Sequence, residues 1–326
     1  MIGGHQRRLE RGQLDAVLAA AGIAAGTVDS WVRLGEATFN AAYRVGLADG
    51  ESLVVKVGPD PTMPTMSYEQ GIMRTEALFY HRAAPAVPVP RVVHADFSRR
   101  VIDSDVVVMT CLPGENWHAR RGVIDAADRM RLRTELGGIV ATLHRVTGEG
   151  FGYPPNAPQV SWRAAFTAML AAVLTDAERF RAWLPWPVER VRETVARHAG
   201  VLDEVTTPVL VHFDLWPGNI LLDSGRISGL VDGERAFWGD PLAEMVSLAL
   251  FDDVEEDPAF LRGYRSAGGR IRFNEPARRR LALYRCYLYL IMLVEGVPRG
   301  YTGAEHEARG ARVSEHLVAT LRALDA

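Results

Sequence analysis

Between Val209 and Pro241 the chain reads VLVHFDLWPGNILLDSGRISGLVDGERAFWGDP, and its polar residues have types and spacing suited to chemistry. The apolar run Val209–Val211 predicts a short buried strand. His212 and Asp214 follow it, and a Trp-Pro-Gly turn at 216–218 separates them from Asn219. Two more apolar runs, 220–222 and 227–231, flank a polar turn and deliver Asp232 just before Gly233. Two short strands joined by a tight turn put Asn219 and Asp232 at the same end of a hairpin. An amide oxygen and a carboxylate meeting there are hard ligands of the kind Mg²⁺ takes, with phosphates filling its other positions. Asp214, on the loop just before, is placed to accept a proton from an attacking hydroxyl. That chemistry is phosphoryl transfer. The alternative is a turn-rich hairpin whose Asp and Asn residues merely cap loops.

A second signal is compositional. Lys and Arg total 37, yet Lys56 is the single lysine. It lies inside the apolar run 53–57, a poor place for a solubilising charge. A compact ammonium on a thin stem suits phosphate contact in a narrow cleft. The other reading is an edge-strand charge that blocks aggregation.

The elements that must position these residues fall into two halves. Helical apolar spacing covers 9–22, and strands are expected over 31–35, 41–47, 91–96 and 105–112, beside the lysine strand. A helix over about 68–83 carries both Glu69 and Glu76, two turns apart and so on one face. Pro113-Gly114 reads as a hinge. Beyond it, helices are expected over 123–147, 161–183, 186–204, 241–251, 258–267, 276–294 and 304–324. The expected organisation is a β-rich lobe over 1–112, a hinge at about 110–114, and a helical lobe over 113–326.

The spacing H-x-D-x-x-x-x-N, with a second Asp a hairpin later, resembles the catalytic loop shared by protein kinases and aminoglycoside phosphotransferases. HFDLWPGNILL followed by LVDGERAFWGDP is similar to the H-x-D-x-x-x-x-N…D-x-E…GDP signature of the aminoglycoside and small-metabolite kinase families. The resemblance implies an α+β, two-lobed protein-kinase-like fold and Mg²⁺-dependent transfer of the γ-phosphate of ATP or GTP to a small-molecule hydroxyl. It gives Asp214 the role of base and makes Asn219 and Asp232 the metal ligands. Lys56 would pair the nucleotide phosphates, held by Glu76, with Glu69 as a solvated helix charge. The turn LGEATFNA resembles the phosphate-covering hairpin only loosely, because Gly35 is its one glycine; Gly35 and the backbone of Glu36 to Thr38 would touch phosphate. Adenine would stack near the hinge against Thr110 to Leu112, where the alternative is a plain strand end. A protein kinase would need a long activation segment, whereas only positions 233–239 separate Asp232 from Asp240.

The resemblance leaves the acceptor between an aminoglycoside-type or other cationic antibiotic, making a resistance enzyme, and a metabolite of ketosamine, choline or homoserine type. The acidic run 252–257 fits a cleft that concentrates cations. It fits equally a solvated loop. Asp240 and Glu244 would extend that negative potential, though the resemblance makes Asp240, the GDP aspartate, mainly structural. Phe213, Trp216 and Gly233 depart from the family wording, and the first two would border the acceptor.

Net charge of −3 gives no electrostatic footprint for nucleic acid. Two cysteines, Cys111 and Cys286, provide no disulfide framework and no metal clip. The start MIGGHQRRLERG has no apolar run, and no later run is long enough for a membrane span. A cytoplasmic monomer or homodimer is expected.

Overall fold

The computed structural model describes residues 8–35 and 39–325. Helix α1 (Arg11–Ala20) precedes β1 (Val28–Arg33), β2 (Ala41–Leu47) and β3 (Ser52–Val57). Helix α2 (Ile72–Ala83) then leads to β4 (Val92–Asp96) and β5 (Val106–Thr110). These five strands form one antiparallel sheet in the order β1-β2-β3-β5-β4. Strand β5 is buried from Val106 to Met109, as expected of a uniformly apolar strand packed on both faces. Lys56 pairs in register with Ala42 on one side and Val107 on the other. It therefore sits in the middle of the sheet, and the edge-strand reading is excluded.

The chain then forms β6 (Glu115–Asn116), α3 (Trp117–Arg120), α4 (Ala126–Leu143), α5 (Trp162–Arg179) and α6 (Val188–His198). The signature region supplies β7 (Val209–Val211), β8 (Ile220–Asp223), β9 (Arg226–Leu230) and β10 (Phe237–Gly239). Helices α7 (Glu244–Leu248), α8 (Pro258–Ser266), α9 (Glu275–Val294) and α10 (Ala304–Asp325) complete the fold. Most predicted helices form, with ends drawn in. The apolar stretch 241–251 yields only the short α7, preceded by a single turn at Pro241–Ala243.

Strands β8 and β9 make the expected hairpin, with Ile220 opposite Leu230, and β6 pairs on its outer edge. Strands β7 and β10, not anticipated as partners, pair antiparallel through Leu210 and Trp238. This closes the signature into one unit. The helical core is anchored by α9, whose buried residues run from Leu281 to Val294. Asn274 caps that helix by accepting the Ala277 N–H at 3.0 Å, with Pro276 in the first turn. The architecture is a two-lobed α+β protein-kinase-like fold. No described helix is long and apolar enough to cross a membrane.

Candidate active site

The loop after β7 is held from behind. The buried Glu244 carboxylate accepts the backbone N–H groups of His212 at 2.7 Å and Phe213 at 2.9 Å. Ser247 Oγ accepts the Leu215 N–H at 3.1 Å. The His212 ring lies inside the loop: the Asp214 N–H donates to Nδ1 at 3.2 Å, so Nε2 carries the proton donated to the Val231 carbonyl at 2.9 Å. Burial lowers the His212 pKa, against the pull of Glu244, and favours this neutral form. Asn219 Nδ2 donates to the Asp214 carbonyl at 2.9 Å and to its Oδ2 at 3.1 Å, leaving Oδ1 as the end available to a cation. The Val231 N–H closes the hairpin onto the Asn219 carbonyl at 3.0 Å. Asp214, Asn219 and Asp232 are thereby fixed to one another through the backbone.

Two residues here take left-handed backbone without being glycine: Phe213 at φ 64° and Asp232 at φ 66°. Such conformations persist where the surroundings over-determine them. Phe213 turns its ring into the core, 5.0 Å from Phe237 and 5.7 Å from Tyr287. It is fully buried and does not line the cleft, whereas the sequence reading has it bordering an acceptor. Gly233 is explained by packing, since a Cβ there would stand 2.2 Å from the Phe79 ring. That close approach lets Asp232 meet α2.

Lys56 is the hub of the site. Its ammonium lies 2.8 Å from Glu76 and 2.8 Å from Glu234, and it also binds the Asp232 carboxylate. Tyr80 donates to Glu76 at 2.8 Å and accepts the Asp232 N–H at 3.0 Å, joining α2 to the hairpin. Asn40 donates to Glu234. Three carboxylates thus face one ammonium. Burial would lower the Lys56 pKa, but Asp232, Glu234 and Glu76 outweigh it and hold the pKa well above 10.5. Asp232 is held below its ordinary value, because Lys56 outweighs burial. Burial, aggravated by Asp232 and Glu76, pushes Glu234 up to about 8. Oxygens of Glu76, Asp232 and Glu234 all lie within 4.8 Å of one another. A buried excess of carboxylate oxygen over positive charge, with the Asn219 amide beside it, fits a hard divalent cation.

Lys56, Asp214, Asn219 and Asp232 line one cleft of about 600 Å³. Asp214 is pushed up to about 7, chiefly by burial, with Arg235 pulling it down and Asp232 and Glu295 pushing it up. Glu76 is buried behind Lys56. Gly35, Thr110 and Leu112 are not part of the cleft wall: Thr110 Oγ1 accepts the Arg91 N–H at 2.9 Å, and the Leu112 side chain lies over Gly229. Thr38, with positions 36 and 37, lies outside the described residues.

The structure assigns the remaining acidic residues. Glu69 precedes α2 on a separate turn (Ser67–Glu69), because Gly71 at φ 71° breaks the continuity; it is buried against Arg299 rather than solvated. Asp240 binds Arg280 at 2.9 Å and Tyr284 at 2.7 Å, the structural role the resemblance implies, and Glu244 holds the loop; neither lines the cleft. Within the acidic run, Glu255 binds Arg278 at 2.8 Å, Asp253 lies 3.4 Å from Arg285, and Asp257 binds Arg133. None of 252–257 lines the cleft, and three of its five acidic residues pair with arginines of neighbouring helices, which favours the solvated-loop reading. Sequence reasoning quoted Glu234 in the D-x-E motif but gave it no role. It gave no signal for Tyr80, Ser247, Arg235 or Arg299, each of which has a site partner distant in the chain.

With fold and site in place, the likenesses are consistent. The structure is similar to a putative fructosamine-3-kinase from Thermobifida fusca YX-ER1, with TM-score 0.69, 23% identity, and coverage of 95% of this chain and 98% of that one. It is similar to aminoglycoside phosphotransferase APH(4)-Ia in ternary complex with AMP-PNP and hygromycin B, with TM-score 0.66, 19% identity, and coverage of 95% and 98%. Macrolide 2′-phosphotransferase MphH from Brachybacterium faecium gives TM-score 0.57 at 19% identity, covering 92% and 97%. No protein with a curated description matches the chain. The sequence profile of the phosphotransferase enzyme family (APH) matches residues 30–284. The chain belongs to that family and is a small-molecule phosphotransferase.

Proposed function

We propose that the protein transfers the γ-phosphoryl group of ATP or GTP to a hydroxyl of a small molecule, with Asp214 as the proton acceptor. The observation that carries this reading is the convergence of Asp214, Asn219, Asp232 and Lys56 on one cleft, with Asp214 pushed up to about 7. A carboxylate of that basicity is suited to take a proton near neutral pH. The acceptor oxygen bonds to the γ-phosphorus, the bond from that phosphorus to the bridging oxygen breaks, and the hydroxyl proton passes to Asp214. Asn219 and Asp232 would hold Mg²⁺, whose charge offsets that of the phosphates when it is bound. Lys56 contacts phosphate oxygens and is kept in place by Glu76 and Glu234. Arg235 moderates the basicity of Asp214, pulling its pKa down against burial and the neighbouring carboxylates.

In this reading residues 1–112 form the nucleotide lobe, the hinge near Thr110 to Leu112 takes the base, and the turn holding Gly35 and Thr38 covers the phosphates. Residues 113–326 bind the acceptor. An antibiotic acceptor is supported by likeness to the aminoglycoside and macrolide enzymes, and a metabolite acceptor by likeness to the fructosamine-3-kinase. The test is nucleoside-diphosphate release with MgATP and MgGTP across aminoglycosides, basic peptide antibiotics, choline, homoserine and a ketosamine. Release that requires an acceptor and disappears in Asp214→Ala supports the reading. Acceptor-dependent release that survives this substitution undoes it.

A further inference from the structure

The cleft wall carries charge of both signs. Besides Lys56 and its carboxylates, the charged lining includes Arg235, Arg299, Arg309 and Glu295. The carboxylate among these arginines is already matched. Glu295 lies 2.8 Å from Arg235 and 3.2 Å from Arg299, and Arg299 also binds Glu69 behind it. Arg309 acts on Glu295 electrostatically but bonds to no carboxylate among the described residues, its guanidinium lying 5.7 Å from the centre of the Tyr301 ring. One turn further along α10, Arg312 stands 4.3 Å over Phe251, another residue of the cleft wall, and it too makes no ion pair among the described residues. Glu305 and Glu315 are within a turn of these arginines in sequence, yet pair with neither.

Resting on the phosphotransferase reading above, we infer that the acceptor is an amphipathic hydroxyl compound with an anionic group, carboxylate or phosphate, received by Arg309 with Arg312 beside it. A cationic acceptor would meet the already paired Glu295 and two exposed guanidiniums that stack on aromatic rings and form no ion pair among the described residues. An anion gains a charge-assisted, fork-shaped contact there. The same wall also carries apolar Leu250, Leu288 and Met292, and Trp216 is 39% exposed. The acceptor body is therefore apolar or aromatic, with its hydroxyl directed at Asp214 and its charge at α10.

The test uses a matched set of probes: hydroxymethylbenzoate, hydroxymethylphenyl phosphate, hydroxymethylbenzamide and hydroxymethylbenzylamine. Binding of each is measured by calorimetry on the full chain loaded with a non-hydrolysable nucleotide. Separately, slow MgATP hydrolysis is compared between the native protein and Asp232→Asn, which tests the phosphotransferase reading without an acceptor. The expected result is that the carboxylate or phosphate probe binds at least about tenfold more tightly than the amide and the amine. Arg309→Gln erases that preference, Arg309→Lys restores part of it, and neither variant alters nucleotide affinity or hydrolysis. Which of the two anionic probes binds more tightly identifies the source of the anion. Stronger binding of the amine, a preference that survives Arg309→Gln, or no binding of any probe at millimolar concentration overturns the inference. Hydrolysis insensitive to Asp232→Asn overturns the phosphotransferase reading instead.

Discussion

The Lys56 ammonium stands 2.8 Å from Glu234, a residue 178 positions further along the chain. The same ammonium holds Glu76 and Asp232, so one cation organises carboxylates from α2 and from the turn after β9. Lys56→Met removes the positive charge and leaves three crowded carboxylates. Breaking such a buried cluster costs about 3–5 kcal/mol near neutral pH. Without Lys56 these groups protonate more readily than in the unfolded chain, so the lost stability returns as pH falls. Thermal denaturation of the variant from mildly alkaline to mildly acidic pH checks this, and a deficit that grows on acidification contradicts it.

Asp214 should set the acidic limb of the pH profile. Its carboxyl is pushed up to about 7 by burial, with Arg235 opposing and Asp232 and Glu295 reinforcing. Only the deprotonated form accepts a proton, so kcat should be low below that value and level off above it. Asp214→Asn should lower kcat by about 10²- to 10⁴-fold and remove the limb. The measurement is kcat against pH for both proteins.

Glu244 acts at a distance from the cleft. Glu244→Gln retains one acceptor oxygen for two backbone donors, which should cost about 1–3 kcal/mol and reduce kcat more than it changes KM. Burial alone would raise the Glu244 pKa, but the neighbouring His144 ring, 3.8 Å away, and His212, whose backbone N–H the carboxylate accepts, outweigh it and hold it below its ordinary value. A depressed carboxyl contributes stability above its unfolded pKa and loses it as pH falls through the folded value. The native protein should therefore destabilise more steeply than the variant under strong acid, as followed by denaturant unfolding.

Gly233→Ala tests the approach of the hairpin to α2. The new methyl would meet Phe79 at 2.2 Å, so the turn or the ring must shift. A loss of about 1–3 kcal/mol is expected from overpacking. Because Asp232 adjoins it, activity should fall further than stability explains. Chemical denaturation and turnover on the same sample separate the two effects.

What was legible in the sequence was local. The hairpin that joins Asn219 to Asp232 follows from alternating apolar runs and a tight turn within a short span. Lys56 was legible because a single lysine inside an apolar strand is chemically conspicuous. Glu76 came from family resemblance, and Glu69 was misread because Gly71 interrupts what helical spacing makes look continuous. Glu244 and Arg299 were unreadable for a different reason. Their partners lie 32 and 230 positions away, so only the packed chain assigns them to the loop and to Glu69. The acidic run could not be decided from sequence, because sequence alone cannot show Arg133, Arg278 and Arg285 arriving from other helices.

The central claim is that Asp214, Asn219, Asp232 and Lys56 form a phosphoryl-transfer site. The most direct measurement follows labelled γ-phosphate from MgATP into an acceptor identified by the panel, comparing native protein, Asp214→Asn and Asp232→Asn, with and without chelation of Mg²⁺. The account predicts label covalently attached to the acceptor hydroxyl in the native protein alone, and only with Mg²⁺ present. Labelled product at native rate from either variant, or in the presence of chelator, would contradict it.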